Sequence, residues 1–238
     1  MVQRLLARTR TTGLRMLRSR IRKGGTQSLL ASLLLLIVIT PLPEKGAAAG
    51  VLTLFASLIV LAGVYAVATD RRHFLIACIL GIPALLGEWV ALIVRVPLLE
   101  LASTVLAVPF YAYVIITVLS HVLREGEVSL DRMYGAVAVY LLMGLAWGAG
   151  FAFIESVRPG SFFIAAALNP DGVLSGADLL YYSFVTLTTS GFGDIVPASS
   201  LARTLSILEA VGGVMYVAIL VSRLAGLIRL PGRTTPGG

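Results

Sequence analysis

The residues that could do chemistry lie in one short run at positions 186–194, which reads Thr-Leu-Thr-Thr-Ser-Gly-Phe-Gly-Asp and sits between two strongly apolar segments. Gly191 and Gly193 can adopt unusual backbone dihedrals that turn successive carbonyl groups the same way, because glycine has no Cβ to clash. Several copies of such a loop can form rings of backbone carbonyls that replace the water around a dehydrated cation. Ser190 and Phe192 would then point away from the ion path and pack against surrounding protein.

This run resembles the signature of the potassium-channel superfamily, Thr-x-x-Thr-x-Gly-(Tyr/Phe)-Gly-Asp. The matching positions are Thr186, Thr189, Gly191, Phe192, Gly193 and Asp194. Tyr181 and Tyr182 fall where that family has an aromatic pair on its pore helix. Pro197, Arg203 and Gly213 fall on a proline, an arginine and an inner-helix glycine of simple bacterial members, so the resemblance covers roughly residues 130–230.

The resemblance implies a selectivity filter and a set of supporting side chains. The filter would be Thr189, Ser190, Gly191, Phe192 and Gly193, with potassium bound by the backbone carbonyls of the first four. The support would come from Thr186, Thr188, Tyr181, Tyr182, Asp194 and Glu209. Ser190 replaces the usual Val or Ile and Phe192 replaces the commoner Tyr, which leaves a weakly selective monovalent cation channel as the alternative to a potassium channel.

Composition independently indicates a membrane protein. Hydrophobic residues make up 58% of the 238 and charged residues 13%, against about 25% charged in soluble domains. The mean hydropathy is +0.93, which excludes a soluble globular domain. The single cysteine, Cys78, lies in an apolar stretch, so one chain can build neither a disulfide framework nor a cysteine metal site.

Six apolar segments approach the length of about 20 residues that crosses a bilayer. They are 27–42, 51–69, 74–94, 101–123, 134–154 and 201–227, and the first is the shortest. The sequence therefore predicts an all-α membrane protein with six transmembrane helices, a re-entrant pore helix and a filter loop. Because one chain carries one such loop, four chains are expected around one pore.

The expected domain organisation follows from these segments. A basic cytoplasmic or interfacial segment covers 1–26, a four-helix membrane domain 27–123, a cytoplasmic linker 124–133, a pore domain 134–229 and a short tail 230–238. Within the pore domain we expect an outer helix at 134–156, a pore helix at 176–188, the filter at 189–194 and an inner helix at 200–229. Ser175 and Asp178 form a Ser-x-x-Asp pattern that predicts a capping box at the start of the pore helix.

The basic residues predict the orientation of the chain. With both termini in the cytoplasm, all but four of the 19 lysines and arginines lie on the cytoplasmic side, as the positive-inside rule requires. The four exceptions are Lys45, Arg95, Arg158 and Arg203. Anionic lipids at the basic amino terminus explain the net charge of +7 without nucleic acid. The bacterial inner membrane is the expected location, and a cleavable signal peptide ending near Ala47-Ala48-Ala49 remains an alternative for the first segment.

Several residues bear on gating. The fourth segment, 101–123, has no Lys or Arg, so voltage gating is not expected. Gly212 and Gly213 are either an inner-helix hinge or a site of close packing, and both interpretations stay open. Val214, Val217 and Val221 would line the inner cavity if the inner helix is straight.

Two acidic residues lie inside predicted membrane segments, where carboxylates are costly and often functional. Glu209 could accept a hydrogen bond from the pore helix behind the filter or take part in gating. Glu88 could pair with Arg95. The stimulus that opens the pore is not evident from the sequence.

The sequence leaves two other classes of function to compare with a channel. Gly-Phe-Gly-Asp also matches the Gly-x-Gly-Asp of intramembrane aspartyl proteases, but that chemistry needs a second carboxylate in the membrane and no aspartate lies within a preceding segment. We therefore expect no enzyme activity. A non-conducting membrane scaffold is the remaining alternative. The expected partners are copies of the same chain and lipid, with no nucleic acid, no small-molecule substrate and no cofactor beyond permeant potassium ions.

Overall fold

The computed structural model describes residues 24–40, 47–68, 70–94, 96–124, 129–165 and 174–227. Within these ranges there are seven helices and two short strands. The helices are α1 (Gly24–Ile39), α2 (Ala47–Val67), α3 (Arg71–Val94), α4 (Pro97–Val122), α5 (Leu130–Val157), α6 (Gly176–Leu187) and α7 (Ser200–Leu227). The strands are β1 (Phe162–Ile164) and β2 (Ile195–Pro197). Residues 1–23 of the basic segment, the tail 230–238, Lys45 and Arg95 lie outside the described residues.

Five of the described helices, α2, α3, α4, α5 and α7, are long and apolar enough to cross a membrane. The first expected crossing corresponds to α1, which is apolar but has only 16 described residues. At the rise of an α-helix this is about 24 Å, short of a hydrocarbon core of roughly 30 Å. The chain is a helical, multi-pass membrane protein in which five helices of spanning length, rather than the six expected, are found in the described ranges.

The helices begin earlier than the apolar segments suggested, because residues that flank those segments are helical too. α5 starts at Leu130 instead of 134, since Ser129 caps it by accepting a hydrogen bond from the backbone N–H of Arg132. The predicted linker 124–133 therefore loses its last four residues to the outer helix. α4 starts at Pro97, a residue favoured in the first turn, instead of 101. Ala47-Ala48-Ala49, the possible cleavage site, forms the first turn of α2.

One apolar core joins the first five helices. α2 packs on α3, α3 on α4, and α4 on α5. The buried side chains at the centre are Leu29, Leu33, Ile59, Phe110, Val114, Val139 and Leu142. Two polar contacts cross this core: the Trp89 indole N–H donates to Ser57 Oγ at 2.9 Å, and His73 Nδ1 lies 2.7 Å from the Tyr113 hydroxyl. The four-helix region and the outer helix α5 thus form one packed unit.

A second, aromatic cluster attaches the short helix α6 to the outer helix. The rings of Phe151 on α5, Phe162 on β1 and Tyr182 on α6 contact one another edge to face, with centroids 5.2 to 5.3 Å apart. Such pairs add to the free energy gained by burial alone. All three residues are buried, so the cluster fixes α6 against α5.

The two strands close the ends of the segment between α5 and α7. β1 and β2 pair antiparallel, with Phe162 opposite Pro197 and Ile164 opposite Ile195. The backbone N–H groups of Gly160 and Phe162 both donate to the Glu155 carboxylate, at 2.7 and 3.0 Å. The loop that carries α6 therefore starts and ends at one small sheet, a feature that the sequence analysis did not predict.

We expect Phe151→Ala to destabilise the protein by about 3–5 kcal/mol, because it removes the ring that both Phe162 and Tyr182 contact. Phe153→Ala is the matched control, since Phe153 lies two residues away on α5 and is 37% exposed. The free energy of unfolding can be measured by denaturant titration in mixed micelles. Equal losses in the two variants would show that the aromatic cluster has no special role in holding α6.

Candidate functional site: a capped short helix and its loop

The short helix α6 is capped as the sequence predicted. Ser175 Oγ accepts a hydrogen bond from the Asp178 backbone N–H, and the Asp178 carboxylate accepts one from the Ser175 backbone N–H. The helix runs from Gly176 to Leu187, with Thr188 as its C-cap residue rather than its last helical residue. Its carboxyl end points into the loop that follows, and the partial negative charge of a helix carboxyl end favours a nearby cation.

In the loop after α6, residues with positive φ alternate with residues without it. The φ angles of Thr189, Gly191 and Gly193 are +55°, +55° and +80°, whereas Ser190 and Phe192 between them do not have positive φ. In such an alternating backbone, successive carbonyl groups point to the same side, unlike those of a β-strand. Glycine tolerates this conformation without strain, while Thr189 bears a cost that the surrounding structure must offset. This φ pattern is compatible with the carbonyl-lined path expected from the sequence.

Hydrogen bonds from the loop to the last turn of α6 hold this conformation. The backbone N–H groups of Thr189 and Ser190 donate to the carbonyls of Thr186 and Val185, both at 2.9 Å. The hydroxyl groups of Thr188 and Ser190 lie 2.9 Å apart. The polar Ser190 side chain, which replaces the usual Val or Ile, therefore has a partner in Thr188 at the end of α6.

The predicted filter residues are exposed in the single chain. Thr188 through Gly193 are all exposed, and Phe192 has 71% of its surface accessible. Among the described residues, His, Cys, Asp and Glu form no group of three that could hold a metal ion. The predicted ligands for a cation in this loop remain the backbone carbonyls of Thr189, Ser190, Gly191 and Phe192, joined by the Thr189 hydroxyl.

Asp194 ties the end of the loop to α6. The Tyr181 hydroxyl donates to Asp194 Oδ2 at 2.7 Å, and the Ile195 backbone N–H donates to Asp194 Oδ1 at 3.0 Å. The hydrogen bond from Tyr181 to Asp194 raises the pKa of Tyr181, with smaller contributions from burial and from the negative charge of Asp194. The phenol therefore stays protonated and remains a donor. One member of the predicted aromatic pair thus positions the outer end of the loop.

The other member, Tyr182, faces the opposite way and joins α6 to α7. Its hydroxyl lies 2.6 Å from Ser206 Oγ in a buried contact. On the strand that follows the loop, the Pro197 carbonyl accepts a hydrogen bond from Arg203 Nε at 3.1 Å. The proline and arginine noted in the sequence therefore contact each other and fix the start of α7.

Glu209 lies behind the loop, fully buried on α7. Ser183 Oγ is 2.5 Å from Glu209 Oε1 and 2.8 Å from the Gly144 carbonyl oxygen on α5. Because a hydroxyl group has one hydrogen to donate, both contacts are hydrogen bonds only when the Glu209 carboxyl group carries a proton. This contact joins α5, α6 and α7 at a single serine.

The carboxyl end of α6 rests against both long helices of this region. The Tyr140 hydroxyl on α5 donates to the Leu187 carbonyl at 3.2 Å. On the other side, a Cβ at Gly213 of α7 would overlap the same Leu187 carbonyl oxygen, whereas one at Gly212 would meet only Met143 Cε at 3.9 Å. α7 is helical through both glycines. Gly213 is therefore a point of close backbone contact with α6.

The three valines predicted to line a cavity lie on an exposed face of α7. Val214, Val217 and Val221 are 53%, 45% and 58% exposed. Glu209 and Ala202 are fully buried on the same helix. One side of α7 thus packs on α5 and α6, and another apolar side is open in the single chain.

Sequence reasoning did not find four of the residues that position the loop: Ser183, Ser206, Tyr140 and Glu155. Ser183 and Ser206 are polar residues on otherwise apolar helices, which is a signal for a buried hydrogen bond. Tyr140 and Glu155 gave no such signal, because Tyr140 is one of several aromatic residues in an apolar helix and Glu155 lies in the last turn of α5, where a polar residue is expected.

Comparisons with known proteins point to the same part of the chain. A family model described as an ion channel matches residues 139–229. The inward rectifier potassium channel Kirbac3.1 of Paramagnetospirillum magnetotacticum is 35% identical over 81 residues, which is 34% of this chain and 23% of that protein. A voltage-gated potassium channel of Aeropyrum pernix is 26% identical over 104 residues, or 44% of this chain and 28% of that protein. A probable potassium channel protein 2 of Methanocaldococcus jannaschii is 39% identical over 59 residues, or 24% and 17% of the two chains.

The matched stretch spans less than a third of the length of each of these curated relatives. It contains the loop, the capped helix α6, most of α5 and the whole of α7. The matched family consists of ion channels and not of enzymes, which confirms the expectation of no enzyme activity. The matched region, residues 139–229, resembles the pore-loop potassium channel superfamily.

Proposed function

We propose that four copies of this chain form a potassium-selective channel for passive ion movement across the bacterial inner membrane, with both termini in the cytoplasm. The observation that carries the proposal is the alternating φ of residues 189–193 at the carboxyl end of a capped helix. Carbonyls on one side of such a loop can replace the hydration shell of a potassium ion when four loops face a common axis. No cofactor is required beyond the permeant ion.

The exposure of the single chain supports assembly into a tetramer. The loop offers its carbonyls to one side only, so one chain cannot surround an ion. The apolar face of α7 that carries Val214, Val217 and Val221 is exposed in the single chain. In a tetramer, this face borders the cavity below the filter, and the exposed Phe192 packs against neighbouring chains. Lipid contacts the remaining apolar surface.

A second candidate, a weakly selective monovalent cation channel, is favoured by one observation. Ser190 is polar where the family usually has Val or Ile, and its hydroxyl pairs with that of Thr188 in an exposed contact. A polar wall can admit water and make the loop easier to deform, which would reduce discrimination between potassium and sodium. The two candidates differ in selectivity and not in architecture.

The absence of Lys and Arg from α4 leads us to propose that the channel is not steeply voltage-gated. Moving one charge across the membrane field supplies about 2.3 kcal/mol per 100 mV, and α4 carries no fixed positive charge to use it. The Aeropyrum pernix relative is named a voltage-gated channel, but that likeness covers only 44% of this chain.

The proposal is tested by recording currents from the purified protein in planar bilayers under opposed potassium and sodium gradients. We expect a reversal potential close to that of potassium, an open probability that changes little with voltage, and a native mass of four chains. Equal permeability to both ions would favour the weakly selective channel. A steep voltage dependence would contradict the inference from α4, and a lack of current in every condition would favour a non-conducting scaffold.

Gly191→Ala should abolish selectivity or conduction, because a Cβ at a φ of +55° strains the loop and changes the direction of its carbonyls. Gly160→Ala is the matched control: Gly160 also has a positive φ, +83°, has open space around it and lies outside the filter. Both variants therefore bear a similar backbone cost of about 1–3 kcal/mol. If the two variants conducted with the same selectivity, residues 189–193 would not be the filter.

Substitution of the two adjacent glycines separates close packing from a hinge. Gly213→Ala should lower the stability of the protein by about 1–3 kcal/mol and reduce current, because its Cβ overlaps the Leu187 carbonyl. Gly212→Ala should have little effect on thermal stability in detergent. A hinge role instead predicts that either substitution slows opening while stability is unchanged, so stability measured beside open probability decides between them.

A further inference from the structure

A cavity outside the ion path lies between the four-helix region and α6. Its volume is about 380 Å³, within the range of pockets that hold small organic ligands. The wall is formed by the end of α1, the first turns of α2, the last turns of α3 and the start of α6. The residues that define it are Leu36, Thr40, Thr53, Glu88, Gly176 and Leu180. The cavity therefore touches the amino-terminal end of the helix that positions the filter.

The polar groups of this cavity are acceptors. The hydroxyl of Thr40 already donates to the Leu36 carbonyl at 2.8 Å, and that of Thr53 donates to the Ala49 carbonyl at 3.1 Å. Each hydroxyl oxygen can therefore accept but has no further hydrogen to donate. Glu88 adds a carboxyl group whose Oε2 atom is buried and has no hydrogen-bond partner within the described ranges. The rest of the wall is mostly leucine and alanine.

A carboxylate at this depth is costly when it is charged and unpaired. A positively charged donor beside it would offset that cost, and the two threonine oxygens could accept its remaining hydrogens. An ammonium group has three donors and no acceptor, which complements this set. An apolar body attached to the ammonium group would fill the leucine- and alanine-lined part of the cavity and gain the free energy of burial.

We propose that this cavity is a binding site for an apolar molecule carrying one ammonium group, which Glu88 recognises. The site is separate from the ion path, and its occupancy can be measured without any current. Because Gly176 and Leu180 belong to α6, the bound molecule contacts the filter-bearing helix directly. The ammonium could belong to a free lipophilic amine or to the headgroup of phosphatidylethanolamine, which share this chemistry.

Binding can be followed by the fluorescence of Trp89, which is next to Glu88 in the sequence. Its indole N–H donates to Ser57 on α2, and Ser57 lies one helical turn after Thr53, which lines the cavity. The chain has two tryptophans, so a Trp147→Phe background leaves Trp89 as the only one. The full chain in phosphatidylcholine vesicles is titrated with n-octylamine, and with n-octanol as the neutral probe. We expect a saturable change in Trp89 fluorescence with octylamine. Glu88→Gln, which keeps the shape of the side chain, should weaken octylamine binding roughly tenfold or more and leave the response to octanol unchanged.

A second variant tests the cavity itself in case Glu88→Gln does not fold. Ala56→Leu fills space between the walls and should abolish the saturable response to octylamine while α1 to α7 remain folded by circular dichroism. Octylamine binding that is unaffected by either variant would overturn the proposal. Adding phosphatidylethanolamine to the vesicles then distinguishes the two possible carriers of the ammonium group. A lower apparent affinity for octylamine identifies the lipid headgroup as an occupant of the cavity. An unchanged affinity identifies a free amine as the occupant.

Discussion

The position of the carboxyl end of α6 is the constraint on which the rest of this structure depends. The Leu187 carbonyl accepts a hydrogen bond from Tyr140 on one side and lies against the backbone at Gly213 on the other. The Thr189 and Ser190 N–H groups are anchored to carbonyls of the last turn of α6, so the backbone at the start of the loop follows the placement of that turn. A shift of α6 relative to α5 or α7 would therefore move the start of the loop. This explains why three layers of contact, namely the aromatic cluster, the Ser183 hydroxyl and the Tyr182–Ser206 pair, all act on this short helix.

The sequence predicted the features of this region that depend on local chemistry. The capping box at Ser175 and Asp178 and the need for glycine at 191 and 193 follow from neighbouring residues, and the structure contains both. Features that depend on distant residues were not predictable in this way. The partner of Glu209 proved to be Ser183, 26 positions earlier, and the β1–β2 pair joins segments that hydropathy alone treats as loop. The start of α5 was missed for a different reason, because the capping signal at Ser129 lies outside the apolar stretch that marked the helix.

Contacts at the other end of the bundle connect the four-helix region to the outer helix. Asp131, in the first turn of α5, accepts a hydrogen bond from the Thr26 hydroxyl of α1 at 2.5 Å and lies 3.3 Å from His121 Nε2 on α4. One carboxylate thus joins three helices where α5 begins. Further along the bundle, the Tyr216 hydroxyl of α7 donates to the Ala136 carbonyl of α5 at 2.6 Å. A displacement of α1 or α4 can therefore reach α7 through α5, even though α4 has no Lys or Arg. The linker predicted at 124–133 is shorter than expected, because residues 130–133 belong to α5.

Ser190 and Phe192 are the positions at which this loop departs from the family signature, and their surroundings differ. Ser190 has a local partner, since its hydroxyl pairs with that of Thr188 and its N–H is bound to Val185, so its polarity is satisfied within one chain. Phe192 makes no comparable hydrogen bond because it has no hydroxyl, and 71% of its surface is exposed in the single chain. Contacts within the chain therefore hold the loop at Ser190 but leave the Phe192 ring uncovered. Tyr181 and Asp194 hold the adjacent outer end independently of neighbours. The loop is consequently held at both ends by contacts within its own chain, while the Phe192 side chain between them is exposed.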